Sequence, residues 1–425
     1  MIPYGLPLWL VLPWLFLLGA TLGSFLNVCV HRFPAHPTLR RQLRAIWWPP
    51  SHCPGCGRRI LLRDNVPILG WLLLRGKCRF CRRSIAFRYP LVEALNGLLF
   101  VAVYWLEVVQ PLGDAPVGVA WNVPKLIEAA GFSTTALVHW RYLYHLVLLE
   151  ALVAATFIDL EHRIIPDGTT LPAMAVGALG GFLLGPVHFM PVWFQDPLLL
   201  ASLEPVLPEW MGALIADTRL PEWIVMHPHW HGLAAALAGI VVGGGMVWGV
   251  RIIGGWVLKK EAMGFGDVVL LAMIGSFLGW QGAVIVFFLA PICALVVVTL
   301  SLAFRRGQEI PYGPYLSLAA LFVIAASPLV WRNTERIFSL GPLIPVIGLV
   351  MVGLLTASLV LIRTLKRLLG FTDQEEWDHA WTSADQLTYQ AGENADDRQG
   401  RWPRERWPGV GSSRGATQWE RWRSQ

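Results

Sequence analysis

Three groups of residues have types and spacings that could do chemistry. Two are acidic: Asp159-Leu160-Glu161-His162-Arg163-Ile164-Ile165-Pro166-Asp167, and Gly264-Phe265-Gly266-Asp267. Each sets a carboxylate at the edge of a long apolar run, where an ionisable group is costly and therefore a candidate functional group. Asp159 and Asp267 together would make a paired-carboxylate site. Two carboxyls sharing a site do not both ionise easily, so one keeps a proton. The ionised one can activate water as general base, while the protonated one polarises a peptide carbonyl and later donates to the leaving amine. No covalent intermediate is needed. Asp267 opens a helix after a glycine-flexed turn, where the helix N-terminus favours negative charge. The plainer reading makes both ordinary interfacial acids, paired with His162, Arg163 or Lys260.

The third group is Cys53-Pro54-Gly55-Cys56 and Cys78-Arg79-Phe80-Cys81, with 21 residues between the pairs. Two such knuckles supply the four thiolates that tetrahedral zinc takes, and the set leaves no open ligand position. The site is therefore predicted to be structural, folding a small loop that lacks a large core. Redox chemistry and free thiols are the competing readings. Cys29 and Cys293 stand alone in apolar segments and read as packing residues. Glu93, Glu150, Glu161 and Asp167 read as structural acids, with Asp167 as a turn residue or N-cap and His145 able to pair with Glu150. No serine nucleophile elbow is present. The run Gly243-Gly244-Gly245 falls in an apolar stretch and suits helix packing better than phosphate binding.

The elements that must position these groups are membrane helices. Hydrophobic residues make up 55% of the 425, charged ones only 15%, which excludes an ordinary soluble enzyme of two or three domains. The apolar runs are continuous rather than alternating, which argues against a transmembrane barrel. The fold class read from them is an all-α polytopic membrane protein of about nine transmembrane helices with a small cytoplasmic zinc-binding loop domain. The spans fall at about Leu6–Val30, Leu91–Val108, Tyr142–Ile158, Thr169–Val187, Gly232–Val250, two within Val268–Phe304, Ile310–Val330 and Phe338–Ile362. The charge-free stretch Val268–Phe304 would be about 55 Å long as one helix, so Gly279-Trp280-Gln281-Gly282 is placed as a break.

Residues 31–90 hold thirteen Lys/Arg and one acid, Asp64, which marks the cytoplasmic side. Those arginines read as facing lipid headgroups, and the net charge of +6 as membrane orientation rather than a nucleic-acid signature. The first 30 residues carry no charge, so the basic region of a cleavable signal is missing. The resulting division is 1–30, first helix; 31–90, tetracysteine loop; 91–187, helices 2–4; 188–230, a Pro- and Trp-rich outer-face insertion; 231–364, helices 5–9; and 365–425, a polar tail predicted to be disordered. Both acidic stretches then lie at the cytoplasmic face.

In order along the chain, several pieces resemble the prepilin peptidases, the type IV leader peptidases of bacterial pilus and type II secretion systems. They are Gly23-Ser24-Phe25-Leu26-Asn27 with His31-Arg32, the four-cysteine loop, Asn65-Val66-Pro67-Ile68-Leu69-Gly70-Trp71 and Arg88-Tyr89-Pro90-Leu91-Val92-Glu93. The Asp159–Asp167 stretch, Gly264–Asp267 and Pro311-Tyr312-Gly313-Pro314 follow. The resemblance implies an aspartic endopeptidase of the Gly-x-Gly-Asp class in the bacterial inner membrane, with Asp159 and Asp267 as catalytic pair. It implies prepilin or pseudopilin substrates, cut after the glycine that ends a basic leader, and pilus or secretion machinery as partners. The complete tetracysteine loop resembles the two-function members, which also N-methylate the new N-terminus with S-adenosylmethionine. That activity is placed in residues 31–93, without a methyl-donor fingerprint in the chain. The 188–230 insertion, the ninth helix and the tail depart from the family pattern. A presenilin-like or signal-peptide-peptidase-like intramembrane protease shares Gly-x-Gly-Asp but not the cysteine loop. A non-enzymatic assembly or transport protein would use the same acids for ions.

Overall fold

The structure is a computed structural model that describes residues 7–110, 123–203, 205, 208, 220–258, 263–303, 311–341 and 343–368. Among them the only extended pairing is three isolated β-bridges. Ten helices are nine residues or longer: α1 (Leu8–Arg32), α2 (Leu39–Trp47), α3 (Arg88–Tyr104), α4 (Thr134–His162), α5 (Asp167–Leu184), α6 (Pro228–Leu258), α7 (Phe265–Ala303), α8 (Gly313–Ala325), α9 (Ser327–Phe338) and α10 (Leu343–Leu368). Among the described residues six helical stretches are long and apolar enough to cross a membrane, and α8 with α9, bent by 95°, makes a seventh if the pair is one span. The chain is an all-helical, multi-pass membrane protein. Six or seven is fewer than the nine spans expected, for two reasons. The α5 helix is only 18 residues long and opens on the polar Asp167-Gly168-Thr169-Thr170, so it is not among the six. The α7 run counts once although it is broken.

That break falls where the glycines put it. Gly279 has φ 73 and ψ 175, a backbone that a side chain would strain. The indole N–H of Trp280 donates to Val192 O and the Gln281 amide to Pro191 O, each at 2.7 Å. A Cβ added at Gly243 would meet Leu271 O at 2.6 Å and Ala283 Cβ at 3.3 Å. Along a straight helix Leu271 and Ala283 would stand about 18 Å apart. The α7 chain therefore doubles back at Gly279.

Two compact units are defined: Met1–Met246 with Asp267–Pro345, and Val247–Gly266 with Val346–Gln425. All the sites described below lie in the first. Its α1 and α3 meet along glycines: a Cβ at Gly19 would lie 2.9 Å from Asn96 O and Gly97 Cα. Small residues at such a crossing let backbones close up where no water drives association. The central α4 packs on α1, α3, α5 and α8.

It begins at Thr134, capped by Ser133, whose Oγ accepts from Ala136 N at 3.2 Å. The start expected from sequence was Tyr142, so Arg141 lies inside the helix. Its charge is accommodated by the nearby Glu107 and by the face of Phe189, 5.2 Å away. Glu107 also binds His145 Nδ1 at 2.6 Å. The expected His145–Glu150 pair is thereby corrected: five positions set the two residues about 140° apart around the helix, so they meet different neighbours.

The described part of the 188–230 insertion folds onto the first unit, where Met190, Phe194, Leu220 and Ile224 join Leu126, Trp331 and Phe338 in an apolar cluster. Residues 111–122 of the first outer loop, Lys259, Lys260, Arg305, Arg306 and residues 369–425 of the tail lie outside the described residues.

Candidate active site

Asp159 stands in the last turn of α4. Arg163 closes that helix in the left-handed region, φ 56 and ψ 36, and its N–H donates to Asp159 O at 2.9 Å. The chain then turns through Ile164 and Ile165 to Pro166, which caps α5. Asp167 is thus the first helical residue, exposed, rather than the cap itself. Glu161 forms an ion pair with Arg88. Asp267 lies in the first turn of α7. Both acids are buried, Asp159 at 5% exposure and Asp267 at 9%.

The two carboxyls act on each other electrostatically, and Arg163 acts on Asp159 as well. One partner of the plainer reading is therefore present beside the pair.

The start of α8 completes the neighbourhood. The backbone amide of Gly313 donates to the Asp159 carboxyl. A Cβ at Gly313 would lie 2.5 Å from Asp159 Oδ2 and 3.1 Å from Ile165 Cδ1, so only glycine lets the helix start come this close. Burial, and then the Asp267 carboxylate, push the Tyr312 phenol up to about 12. Sequence reasoning took Pro311-Tyr312-Gly313-Pro314 only as a matching stretch and gave its residues no role. A glycine between two prolines at a helix start was the available signal.

The four cysteines come together in the loop that follows α1. Their sulfur atoms lie within 4.8 Å of one another, and none is in a disulfide. The two knuckles repeat one pattern. Cys53 N donates to Arg58 O and Gly57 N to Cys53 O; Cys78 N donates to Arg83 O and Arg82 N to Cys78 O. Gly57 and Arg82 each take a positive φ, 67 and 61. Amides also turn on sulfur: Gly55 N donates to Cys53 Sγ at 3.4 Å. The amides of Cys81 and then Phe80 pull the Cys78 thiol down to about 6. Amide donors around clustered thiolates are what a thiophilic metal ion requires, so the set fits one.

This module is tied to the membrane helices. Arg79, inside the second knuckle, binds Asp64 through two bonds of 2.7 and 2.5 Å. Asp64 leads into a tight turn where Ile68 takes φ 62 and ψ −54, and Leu69 N reaches Pro67 O. That γ-turn is strained for a β-branched residue. The Ile68 amide donates to the buried Glu93 carboxylate of α3 at 2.7 Å, which holds the turn on the bundle. Glu150 is held by Asn96 at 2.6 Å. Both acids accept hydrogen bonds within the fold, though the partner of Glu150 is Asn96 and not His145.

Comparison with known proteins agrees with this division. Residues 17–106 match the Bacterial Peptidase A24 N-terminal domain, and residues 206–299 match the Type IV leader peptidase family. The cysteine module falls in the first match and Asp267 in the second, while Asp159 lies between them. A prepilin leader peptidase/N-methyltransferase of Aeromonas hydrophila is 32% identical over 338 residues, covering 74% of this chain and 90% of its own. One from Stutzerimonas stutzeri is 31% identical, covering 71% and 86%. A type 4 prepilin-like proteins leader peptide-processing enzyme of Escherichia coli O78:H11 is 30% identical, covering 72% and 90%. No solved structure matches. With buried acids at two helix ends, a four-cysteine module and relatives similar over nine-tenths of their length, the chain belongs to the type IV leader peptidase family.

Proposed function

We propose that this protein is a membrane aspartic endopeptidase that removes the basic leader from prepilins or pseudopilins at the cytoplasmic face of a bacterial inner membrane. The observation that supports this is two buried aspartates at the ends of two apolar helices, placed so that the charge of Asp267 bears on Asp159. A prepilin has its leader in the cytoplasm and an apolar helix behind it, so its scissile bond lies at the same boundary. The chemistry follows from the residues. The pair shares one proton, as like charges brought together require. The ionised member takes a proton from water, which attacks the scissile carbonyl. The protonated member hydrogen-bonds the carbonyl oxygen as negative charge grows there, and a proton then passes to the leaving amine. The Gly313 amide orients Asp159.

In this reading Asp159 and Asp267 are the catalytic pair, and Cys53, Cys56, Cys78 and Cys81 hold a zinc ion whose role is to fold the loop 31–90. The nine-span topology is retained by counting α5 and the two halves of α7 separately and α8 with α9 as one crossing. The division at 30, 90, 187, 230 and 364 follows from it. N-methylation of the new terminus with S-adenosylmethionine is part of the proposal, supported by the names of the relatives. When bound, that donor supplies the methyl group. Among the described residues no cradle for it is identified, so no residue is assigned to it. Pilus or secretion machinery is the proposed partner.

Enzyme reconstituted with a prepilin and S-adenosylmethionine tests the whole reading by mass spectrometry of the products. The expected result is a leader ending in glycine and a mature chain carrying one added methyl group. An intact prepilin would sink the peptidase reading; a cut but unmethylated chain would sink the second activity alone.

A further inference from the structure

The helix α2 lies six residues beyond the end of α1, which is long and apolar enough to cross a membrane. Its two sides differ sharply. Outward it presents Arg40, Arg41, Arg44 and Trp47, and Trp48 follows at its end, with the two indoles 83% and 72% exposed. Inward it places Gln42, only 3% exposed, and Ile46, which packs on the cluster holding Ile158 and Ile164 on either side of Asp159. Both ends of the Gln42 amide are engaged: Oε1 accepts from Gly168 N at 2.6 Å, and Nε2 donates to His36 O at 2.7 Å. Gly168 N is one of the amides left unpaired at the start of α5, so this side chain ties α2 to the far end of the Asp159 turn. At the other end of α2, Arg32 Nη1 donates to Ala45 O at 2.6 Å.

Exposed arginines followed by two exposed tryptophans, next to a span, match the headgroup layer of an anionic leaflet: indoles sit at that depth and guanidinium groups bind phosphate. The leader that the family's substrates carry is itself basic, so charge disfavours it as the occupant. We infer that α2 is an interfacial helix that seats on anionic phospholipid headgroups, and that Gln42 is a positioning residue transmitting this seat to the Asp159–Gly168 turn. The consequence for turnover rests on Asp159 being catalytic; the seat and the relay do not.

Hydrogen exchange on the full chain in nanodiscs separates the two. In discs containing phosphatidylglycerol, amides of 39–47 and 164–170 should exchange about tenfold more slowly than in phosphatidylcholine alone. Arg40→Gln with Arg41→Gln and Arg44→Gln should abolish the difference in both segments. Gln42→Ala should keep it in 39–47 and lose it in 164–170, while Gln42→Glu, which retains the acceptor for Gly168 N, should restore it. Equal exchange in both lipids would overturn the lipid seat, as would protection that appears only on adding prepilin. A Gln42→Ala chain still lipid-sensitive at 164–170 would overturn the relay. Loss of the leader-cleaving activity is not a readout here, so failure of the catalytic reading leaves these outcomes interpretable.

Discussion

The cysteine module and the aspartate pair are both made from two separated stretches of chain, yet they are held together by different means. The module repeats one local hydrogen-bond pattern twice and closes through four sulfur atoms. Its geometry is carried by residues within a few positions of each cysteine. The aspartates instead depend on three helix ends arriving at one place: the C-terminus of α4, the first turn of α7 and the N-terminus of α8. On the proposed reading, the first region should fail by losing its metal and leave the second intact. The second can fail by a shift of one helix and leave the first intact. The cysteine knuckles are thus built from local bonds and docked on the bundle through Glu93, whereas the candidate catalytic site is a product of helix packing.

Variants that load one region at a time put this contrast at risk. Gly313→Val should have the largest effect after the aspartates themselves. Its side chain would meet Asp159 Oδ2 and Ile165, and displacing a reacting group by about 1 Å costs on the order of a hundredfold in cleavage rate. A rate within threefold of wild type would show that the approach of α8 is incidental.

Tyr312→Phe should slow cleavage about tenfold, the usual scale for one hydrogen-bond donor near developing charge. Because burial and Asp267 raise this phenol to about 12, the neutral form persists throughout the assay range. The variant should therefore leave the shape of the pH–rate profile between about pH 5 and 9 unchanged. A lost alkaline limb would mean that Tyr312 titrates in turnover.

Cys56→Ser tests the other region. Zinc content should fall from one per chain to near zero, and amides of residues 50–85 should lose their exchange protection, since the metal's binding energy is the module's folding energy. Cleavage should stay within about threefold, as expected for distant and separable sites. A collapse of cleavage in step with the zinc would erase the distinction between the regions.

Their legibility in the sequence differs for the same physical reason. Cys-x-x-Cys spacing specifies a metal knuckle almost without tertiary context, so Cys53, Cys56, Cys78 and Cys81 could be named as one set in advance. The glycine break in α7 was equally visible, because a charge-free run of that length exceeds any bilayer. Asp159 and Asp267 could be named as costly acids, but not their common neighbourhood. Gly313 touches Asp159 from 154 positions away, and no spacing rule encodes such a contact. The sequence places the start of α4 at Tyr142, but the helix begins at Thr134 and takes in Arg141, whose charge has Glu107 nearby. Gln42 was hidden for a related reason. In a run of arginines the one neutral side chain that turns inward carries no mark until Gly168 meets it.

The central claim is that Asp159 and Asp267 act as one catalytic pair, and a single measurement addresses it. Cleavage of a prepilin in proteoliposomes should be compared for wild type, Asp159→Asn and Asp267→Asn, each shown to be folded by an unchanged melting temperature. Asparagine keeps the size and hydrogen bonding of the side chain but can neither accept the proton from water nor share one with its neighbour. Each single variant should lose about a thousandfold in rate, and the double variant little more, because the two carboxyls work as a unit. Full activity in either single variant would contradict the assignment.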